Sequence, residues 1–169
     1  MNNAKTPRES AVESRYLVMP QHANDCGIAF GGTIMSWIDM VAAMVAQRHC
    51  EREVVTVSID KLSFLAPIQI GDHVLLKASV NYVGQTSMEV GVQVIKENPY
   101  QGQSVRATTA YLTFVGIDRN KKPTPIPRLS PETPDEIRRF ENAKLRVAAR
   151  QELLRKIRSR ADKVAGSGL

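Results

Sequence analysis

The stretch GGTIMSWIDMVAAMVAQR, residues 31–48, predicts one long helix with almost no polar face. Its apolar side chains recur all around the helix axis rather than along one stripe. They are Ile34, Met35, Trp37, Ile38, Met40, Val41, Met44 and Val45. A helix that is apolar nearly all round is buried on most of its sides. We therefore expect the rest of the domain to be built around this helix.

The hydrophobic period changes after the helix from about 3.6 residues to about 2, which predicts strands. Val55, Val57 and Ile59 alternate with polar residues, and a change of parity after them predicts a bulge near residues 60–61. Strands are predicted before the helix at residues 11–19, and after this alternation at residues 74–82, 88–94 and 104–117. One long helix with strands at hairpin-like spacing predicts an α+β fold, an antiparallel sheet with a single buried helix.

The composition divides the chain into five segments. We expect a disordered arm over residues 1–10, the folded domain over residues 11–118, a proline-rich connector over residues 119–133, a basic helix over residues 134–160 and a flexible tail over residues 161–169. Thr133, Pro134 and Glu136 predict where the last helix begins, because they supply an N-cap, a first-turn proline and the closing residue of a capping box.

The net charge of +6 is unevenly distributed along the 169 residues. From Pro134 onward there are ten Lys/Arg and five Asp/Glu, whereas the preceding residues hold thirteen basic and twelve acidic groups. The fold-forming part is therefore nearly neutral, and a solvated basic helix face explains the excess more simply than a polyanionic partner does. We expect no nucleic-acid partner.

No segment of the sequence predicts export or membrane insertion. The first ten residues carry no apolar stretch, and the apolar run at residues 34–46 is too short to span a bilayer and is interrupted by polar residues. Two cysteines, Cys26 and Cys50, are too few for a disulfide framework, and free thiols suit a reducing compartment. We expect a cytoplasmic protein.

Asp39 is the candidate catalytic residue of the long helix. It is the only ionisable side chain between Phe30 and Gln47, and burial of an uncompensated carboxylate there would cost several kcal/mol. Either the carboxylate acts as a general base in a partly dry site, or it points to solvent and accepts local hydrogen bonds. The pattern alone leaves both interpretations open.

Gly31 and Gly32 at the helix entry are a second candidate feature. The first amides of a helix have no internal acceptor, and glycine lets a substrate approach them closely, so they can bind a developing oxyanion. Asp39 lies about 11 Å further on by helical rise. A single helix does not readily bring these amides and the carboxylate together, whereas a dimer could join the glycines of one chain to Asp39 of the other.

Several separated motifs resemble those of hotdog-fold acyl-CoA thioesterases, in particular the cytosolic brain-type acyl-CoA hydrolase and its short bacterial relatives. The main motif is ANDCGIAFGG at residues 23–32, followed by MSWID at residues 35–39. Further matches are RHC at residues 48–50, LSFLAP at 62–67, IGD at 70–72, VGQTSMEV at 83–90 and TFV at 113–115. With the basic C-terminal helix, the resemblance covers residues 15–155 or so.

This resemblance implies a hotdog fold, in which an antiparallel sheet wraps around a long central helix. It also implies a homodimer that assembles further into a hexamer, a trimer of dimers. The activity implied is hydrolysis of fatty acyl-CoA to free fatty acid and coenzyme A, with no metal and no cofactor apart from the substrate itself. The catalytic residues implied are Asn24 of one subunit and Asp39 of the other, with Asp39 as general base or nucleophile.

The resemblance further implies how the substrate is held. Gln85, Thr86 and Ser87 follow a tight turn and would contact the pantetheine or the phosphates of coenzyme A, although solvent-facing residues would give the same pattern. Ala29–Phe30 replaces the family's commoner Val-His or Ile-Phe before the glycines, which we expect to affect acyl fit and not chemistry. The acyl chain length is left open, with Trp37, Met40 and Tyr82 as candidate determinants.

Other classes of protein are less well supported. The sequence has no Gly-x-Ser-x-Gly motif, no clustered zinc ligands, no Lys-Ser/Thr after its paired glycines, and no histidine near Asp39 for a dehydratase. The alternative of a different class is a non-catalytic hotdog sensor that binds acyl-CoA. The presence of both Asn24 and Asp39 favours hydrolysis.

Overall fold

The computed structural model describes residues 4–60 and 62–166, with side chains as far as Arg160. The chain divides into two compact units, Met1–Pro131 and Glu132–Leu169. The elements of the first unit, in chain order, are α1 (Pro7–Ser10), β1 (Val12–Leu17), a 3-10 turn (Pro20–His22), α2 (Gly31–Cys50), β2 (Glu53–Ile59), β3 (His73–Val83), β4 (Ser87–Asn98) and β5 (Gln103–Ile117). The second unit is built on one helix, α3 (Pro134–Gly166).

The strands form one five-stranded sheet in the order β1-β3-β4-β5-β2, and every neighbouring pair is antiparallel. Helix α2 contacts all five strands, and the core forms between it and one face of the sheet. The α+β prediction, one long helix against an antiparallel sheet, is confirmed. The strand order makes β1 and β2 the two edges of this sheet.

Helix α2 is buried along one side only, which corrects the expectation of burial on most sides. Ile38 and Val41 are fully buried against the sheet, whereas Met35, Met40 and Met44 are exposed. The sheet of one chain covers one side of a helix that is apolar nearly all round. An apolar helix face is therefore left open in the single chain.

Strand β2 also differs from its prediction. Val55, Val57 and Ile59 are all exposed, because β2 is an edge strand. The register shift that the structure describes lies between Thr56 and Ser58. The predicted position, residues 60–61, includes residue 61, which is outside the described part of the chain. This bulge moves Ile59 to the face of the sheet that carries Thr56.

The chain ends are more ordered than the sequence suggests. Residues 4–10 are not a disordered arm, because α1 forms within them and the backbone of Lys5 is hydrogen-bonded to that of Arg128 and Ser130. Helix α3 continues to Gly166, so the expected flexible tail is helical over residues 161–166. The remainder of the arm (residues 1–3) and of the tail (residues 167–169) lies outside the described residues.

The start of α3 is the one predicted. The Glu136 amide donates to Thr133 Oγ1 at 3.2 Å, and the Thr133 amide donates to Glu136 Oε2 at 2.9 Å, which confirms the capping box. Of the helices that the structure describes, neither α2 nor α3 combines enough length and hydrophobicity to cross a bilayer.

Candidate active site

Asp39 is half-buried on α2 and faces strand β2. Its Oδ1 accepts a hydrogen bond of 2.9 Å from Thr56 Oγ1. The carboxylate is therefore held by the protein and does not simply point into bulk water. With one oxygen engaged, Oδ2 has no protein partner among the described residues and is left for other chemistry.

Thr56 is a contact that the sequence reasoning missed. It lies on the bulged edge strand β2, opposite Phe114 of β5. In the sequence it is one of several polar residues that alternate with valines, and nothing in that pattern distinguishes a hydroxyl that meets Asp39 from one that meets solvent. A search for short polar side chains on the strand that follows the helix would have included it.

The loop between the 3-10 turn and α2 carries Asn24. Its side-chain Oδ1 accepts hydrogen bonds from the backbone amides of Cys26 at 3.0 Å and Ile28 at 3.1 Å. The backbone amide of Asn24 donates to the Ile28 carbonyl at 2.8 Å. Both bonds to the side chain use its oxygen, so the Nδ2 group of this exposed residue has no acceptor among the described residues. Asn24 therefore offers hydrogen-bond donors to its surroundings, not an acceptor.

An aromatic stack connects this loop to α2. The ring of Trp37 is buried and lies parallel to that of Tyr16, with centroids 4.4 Å apart, and His22 packs edge-on against it at 5.1 Å. The His22 carbonyl accepts from the Phe30 amide at 2.8 Å, and its Nδ1 accepts from the Met19 amide at 3.1 Å. Trp37 is thus a packing residue that supports the loop, and its ring is enclosed rather than open to an acyl chain.

The amides of Gly31 and Gly32 open α2. Thr33 and Ile34 donate to the Phe30 carbonyl, at 2.9 and 3.2 Å, while the two glycine amides have no acceptor among the described residues. The Phe30 side chain does not cap the helix. These two donors are free to bind an anionic or carbonyl oxygen.

Two aromatic rings flank these glycines. A Cβ on Gly32 would lie 2.5 Å from Phe30 Cε1, and one on Gly31 would lie 3.5 Å from Phe64 Cε2. Both phenylalanines are open to solvent, at 60% and 47% exposure. A larger residue at position 32 would displace the Phe30 ring, so glycine keeps the free amides accessible beside an apolar wall.

The tight turn Gly84–Ser87 lies at the same end of the sheet as Thr56. The Gly84 amide donates to the Ser87 carbonyl at 2.8 Å, and the Thr86 carbonyl accepts from Gly116 at 3.0 Å. Ser87 pairs with Val115, which pairs with Val55. Two strand spacings, about 10 Å, therefore separate this turn from β2, whose Thr56 is hydrogen-bonded to Asp39. The side chain of Gln85 is exposed there.

Asn24 and Asp39 are not joined within one chain. Among the residues that the structure describes, no hydrogen bond connects them. Asn24 lies in an exposed loop, and Asp39 faces an edge strand whose outer side has no neighbouring strand in the part of the chain that the structure describes. Each side chain is oriented by its own local bonds.

The other titratable groups of α2 lie at its far end. His49 is fully buried, with Nε2 3.0 Å from the Pro127 carbonyl. Burial lowers the pKa of His49, and this effect is larger than those of the hydrogen bond and of the nearby charges of Lys5 and Glu9. Burial raises the pKa of the Cys50 thiol. Both lie about 15 Å from Asp39 by helical rise. Within the described residues, no group of three or more His, Cys, Asp or Glu could hold a metal ion.

Comparison with known proteins identifies the family. The sequence profile of the Thioesterase superfamily matches residues 26–103. The acyl-CoA thioester hydrolase YkhA of Bacillus subtilis is 45% identical over 144 residues, which cover 85% of this chain and 84% of that one. The acyl-CoA hydrolase of Staphylococcus aureus, solved with butyryl coenzyme A and coenzyme A, superposes with a TM-score of 0.87 at 35% identity and covers 96% of this chain and 99% of its own.

A hexameric acyl-CoA thioesterase, solved without ligand, also has a TM-score of 0.87 at 35% identity, over 90% of this chain and 97% of its own. The S. aureus enzyme has been solved with alanine replacing one aspartate, one asparagine or one threonine. The chain belongs to the acyl-CoA thioester hydrolases, hotdog-fold enzymes of the thioesterase superfamily. The resemblance drawn from its motifs is confirmed.

Proposed function

We propose that this protein hydrolyses fatty acyl-CoA to free fatty acid and coenzyme A at sites shared by two copies, with Asp39 from one and Asn24 from the other. The observation that carries the proposal is the Thr56–Asp39 hydrogen bond at the open edge of the sheet. A carboxylate held there, beside an edge that no other strand of residues 4–60 and 62–166 pairs with, is available to a second chain.

The exposed apolar surface around Asp39 supports the dimer. Met40 and Met44 of α2 are exposed, as are Val55 and Val57 of β2. Apolar side chains clustered at an edge strand are covered most simply by a second copy through a symmetric interface. Such an interface would bring the partner's exposed Asn24 loop to Asp39 and would create two equivalent sites in each dimer.

Sequence spacing supports the choice of residues. In the S. aureus enzyme the asparagine, aspartate and threonine replaced by alanine stand fifteen and seventeen positions apart. Asn24, Asp39 and Thr56 have the same spacing in this chain. We therefore assign Thr56 to the site beside the two residues expected from the sequence.

The donors and acceptors suggest a division of labour. The thioester carbonyl oxygen would accept hydrogen bonds from the Gly31 and Gly32 amides and from Asn24 Nδ2, since Asn24 Oδ1 is already engaged. These donors would stabilise the negative charge that develops on this oxygen. Asn24 is thus better suited to bind the carbonyl than to accept a proton from water.

Asp39 would supply the base. Thr56 holds Oδ1, so Oδ2 would take a proton from water while the hydroxide attacks the carbonyl carbon. When the carbon–sulfur bond breaks, the proton passes to the departing thiolate of coenzyme A. In the second route Oδ2 attacks the carbon itself, coenzyme A leaves, and water then hydrolyses the resulting anhydride.

The remaining parts of the proposal concern substrate and assembly. Gln85, Thr86 and Ser87 would contact the pantetheine or phosphates of coenzyme A from their turn at the end of the sheet that carries Thr56. The hexameric relative supports a trimer of dimers for this chain. We expect the enzyme to work in the cytoplasm, with no cofactor besides its substrate.

A mixing experiment tests the shared site. Asp39→Asn and Asn24→Ala chains, each inactive alone, are mixed under conditions that let subunits exchange, and thiol release from an acyl-CoA is followed. Random pairing makes half of the dimers mixed, and each mixed dimer has one intact site, so we expect about a quarter of wild-type activity. If both residues acted within one chain, mixing would restore nothing.

The same assay addresses the sensor alternative, which neither the relatives nor the retained Asn24 and Asp39 favour. Wild-type protein that bound acyl-CoA tightly and released no thiol from any chain length would overturn the enzymatic proposal. A series of chain lengths in that assay would also define the acyl preference.

A further inference from the structure

The last part of α3 exposes three large aliphatic side chains within five residues. Leu153, Leu154 and Ile157 have exposures of 58%, 48% and 54%. Every residue from 153 to 160 is exposed. A helix face of this kind is costly to leave in water, and the proposed thioesterase site makes no use of it.

Helical geometry gathers these side chains on one face. At about 100° of rotation per residue, Leu153, Ile157 and Leu154 fall in order within an arc of about 100°. Arg160 lies about 20° beyond one margin of this arc, and Arg158 about 40° beyond the other. The aliphatic arc is thus bordered on both sides by guanidinium groups, whose long stems can lie along an apolar surface while their charges reach polar groups.

The segment 151–160 is also strongly basic. It contains four cations, Arg155, Lys156, Arg158 and Arg160, and one acid, Glu152, so its net charge is +3. Glu152 pairs with Arg155 and, at 3.5 Å, with Lys156. The charge around the aliphatic arc is therefore positive.

We propose that residues 151–160 of α3 bind the surface of an anionic lipid membrane, with the helix lying in the plane of the interface. Leu153, Leu154 and Ile157 enter the boundary between headgroups and acyl chains, and the flanking cations contact anionic headgroups. This role does not depend on the proposed catalytic site. It requires no membrane-spanning segment.

Two other occupants fit the face less well. A second copy packed through the same arc would bring Arg158 and Arg160 of both helices to the margins of one interface, where their charges repel. A nucleic acid would match the cations but would leave the aliphatic side chains in water. An anionic bilayer would bury the aliphatic side chains and pair its headgroups with the flanking cations.

Sedimentation with vesicles tests this proposal on the full-length protein. Phosphatidylcholine vesicles with and without phosphatidylglycerol are compared, at low and high salt. We expect binding to the anionic vesicles, little binding to the neutral ones, and at least a tenfold loss in the Leu153→Ser/Ile157→Ser variant. High salt should weaken binding, because exposed charges are screened.

Leu145→Ser is the matched control. Leu145 is the most exposed large aliphatic residue among the described side chains of the same helix, at 71%, and lies about 180° from Leu154. The Leu145→Ser variant should bind anionic vesicles as the wild type does. Unchanged thiol release would show that this variant and the double variant are both folded. Equal binding to neutral vesicles, no binding to either kind, or an equal loss in the control would overturn the proposal. So would a smaller molar mass of the double variant by light scattering, because a second copy would then cover the face.

Discussion

Helix α2 carries ionisable groups in two opposite settings, Asp39 near its middle and His49 near its C-terminal end. Asp39 is half-buried, accepts one hydrogen bond from Thr56, and faces an edge strand whose outer side has no neighbouring strand among the described residues. His49 is fully buried and hydrogen-bonded to the Pro127 carbonyl, and burial lowers its pKa and so favours the neutral ring. The helix thus carries its polar groups in one open and one closed environment.

This difference separates function from stability. A group that faces an open edge can meet a substrate or a second chain, and its loss leaves no unpaired partner in the core. A group enclosed within the fold contributes to stability and has no access to substrate. Substitutions of Asp39 and of His49 should therefore change different measured quantities.

Asp39→Asn should give the largest effect. The amide keeps the size of the side chain and can still accept from Thr56, but it cannot take a proton from water, so we expect kcat to fall about 100-fold or more. Thiol release from acyl-CoA measures the rate, and thermal unfolding should match that of the wild type. Wild-type turnover by a well-folded variant would refute the assignment of Asp39.

Thr56→Val should give an intermediate effect. Valine keeps the shape but removes the donor to Oδ1, so the carboxylate is free to turn, and we expect kcat to fall about tenfold with little change in KM. Thr56→Ser is the matched control, since it retains the hydroxyl and should keep most of the activity. If valine and serine behaved alike, the hydrogen bond would have no part in catalysis.

The two long helices and the five strands are predictable from sequence because each depends on a local pattern, whereas the short α1 was expected to be part of a disordered arm. The apolar run at residues 31–48 marks α2, the period-2 alternation marks the strands, and Thr133 with Glu136 marks the start of α3. What the pattern could not give is which faces stay open. The exposed methionines of α2 and the exposed valines of β2 look like core residues in the sequence. Apolar side chains are needed equally for a core within one chain and for an interface with a second copy, so the pattern does not distinguish the two.

The site is partly predictable for a similar reason. Asp39 stands out because an isolated carboxylate is conspicuous in an apolar helix. Gly31 and Gly32 stand out as paired glycines at the start of that helix, and Asn24 comes from motif resemblance. Thr56 was missed because its contact with Asp39 depends on how the bulge of β2 orients its hydroxyl, which is a tertiary feature. The engagement of Asn24 Oδ1 likewise depends on tertiary detail, because two backbone amides of its own loop donate to it.

The smallest effect should come from replacing His49, which should change how the free energy of unfolding depends on pH. Its pKa in the folded protein lies below the ordinary value of 6.5, because desolvation outweighs the hydrogen bond to Pro127. The unfolded chain therefore binds a proton more readily, and the free energy of unfolding should fall as pH drops through about 6.5 towards the folded pKa. The carboxylates with lowered pKa values, Glu9, Glu51 and Asp135, contribute only nearer pH 4.5 and below.

Denaturant unfolding at several pH values between 7.5 and 5.5, about one pH unit either side of the unfolded pKa, isolates this contribution. His49→Leu has no titratable group at that position, so its unfolding free energy should depend less on pH than that of the wild type. His22 and His73 are present in both proteins, and the difference between the two slopes therefore belongs to His49. Identical slopes would mean that His49 is protonated equally in the folded and unfolded chains, and burial would then not disfavour its charged form.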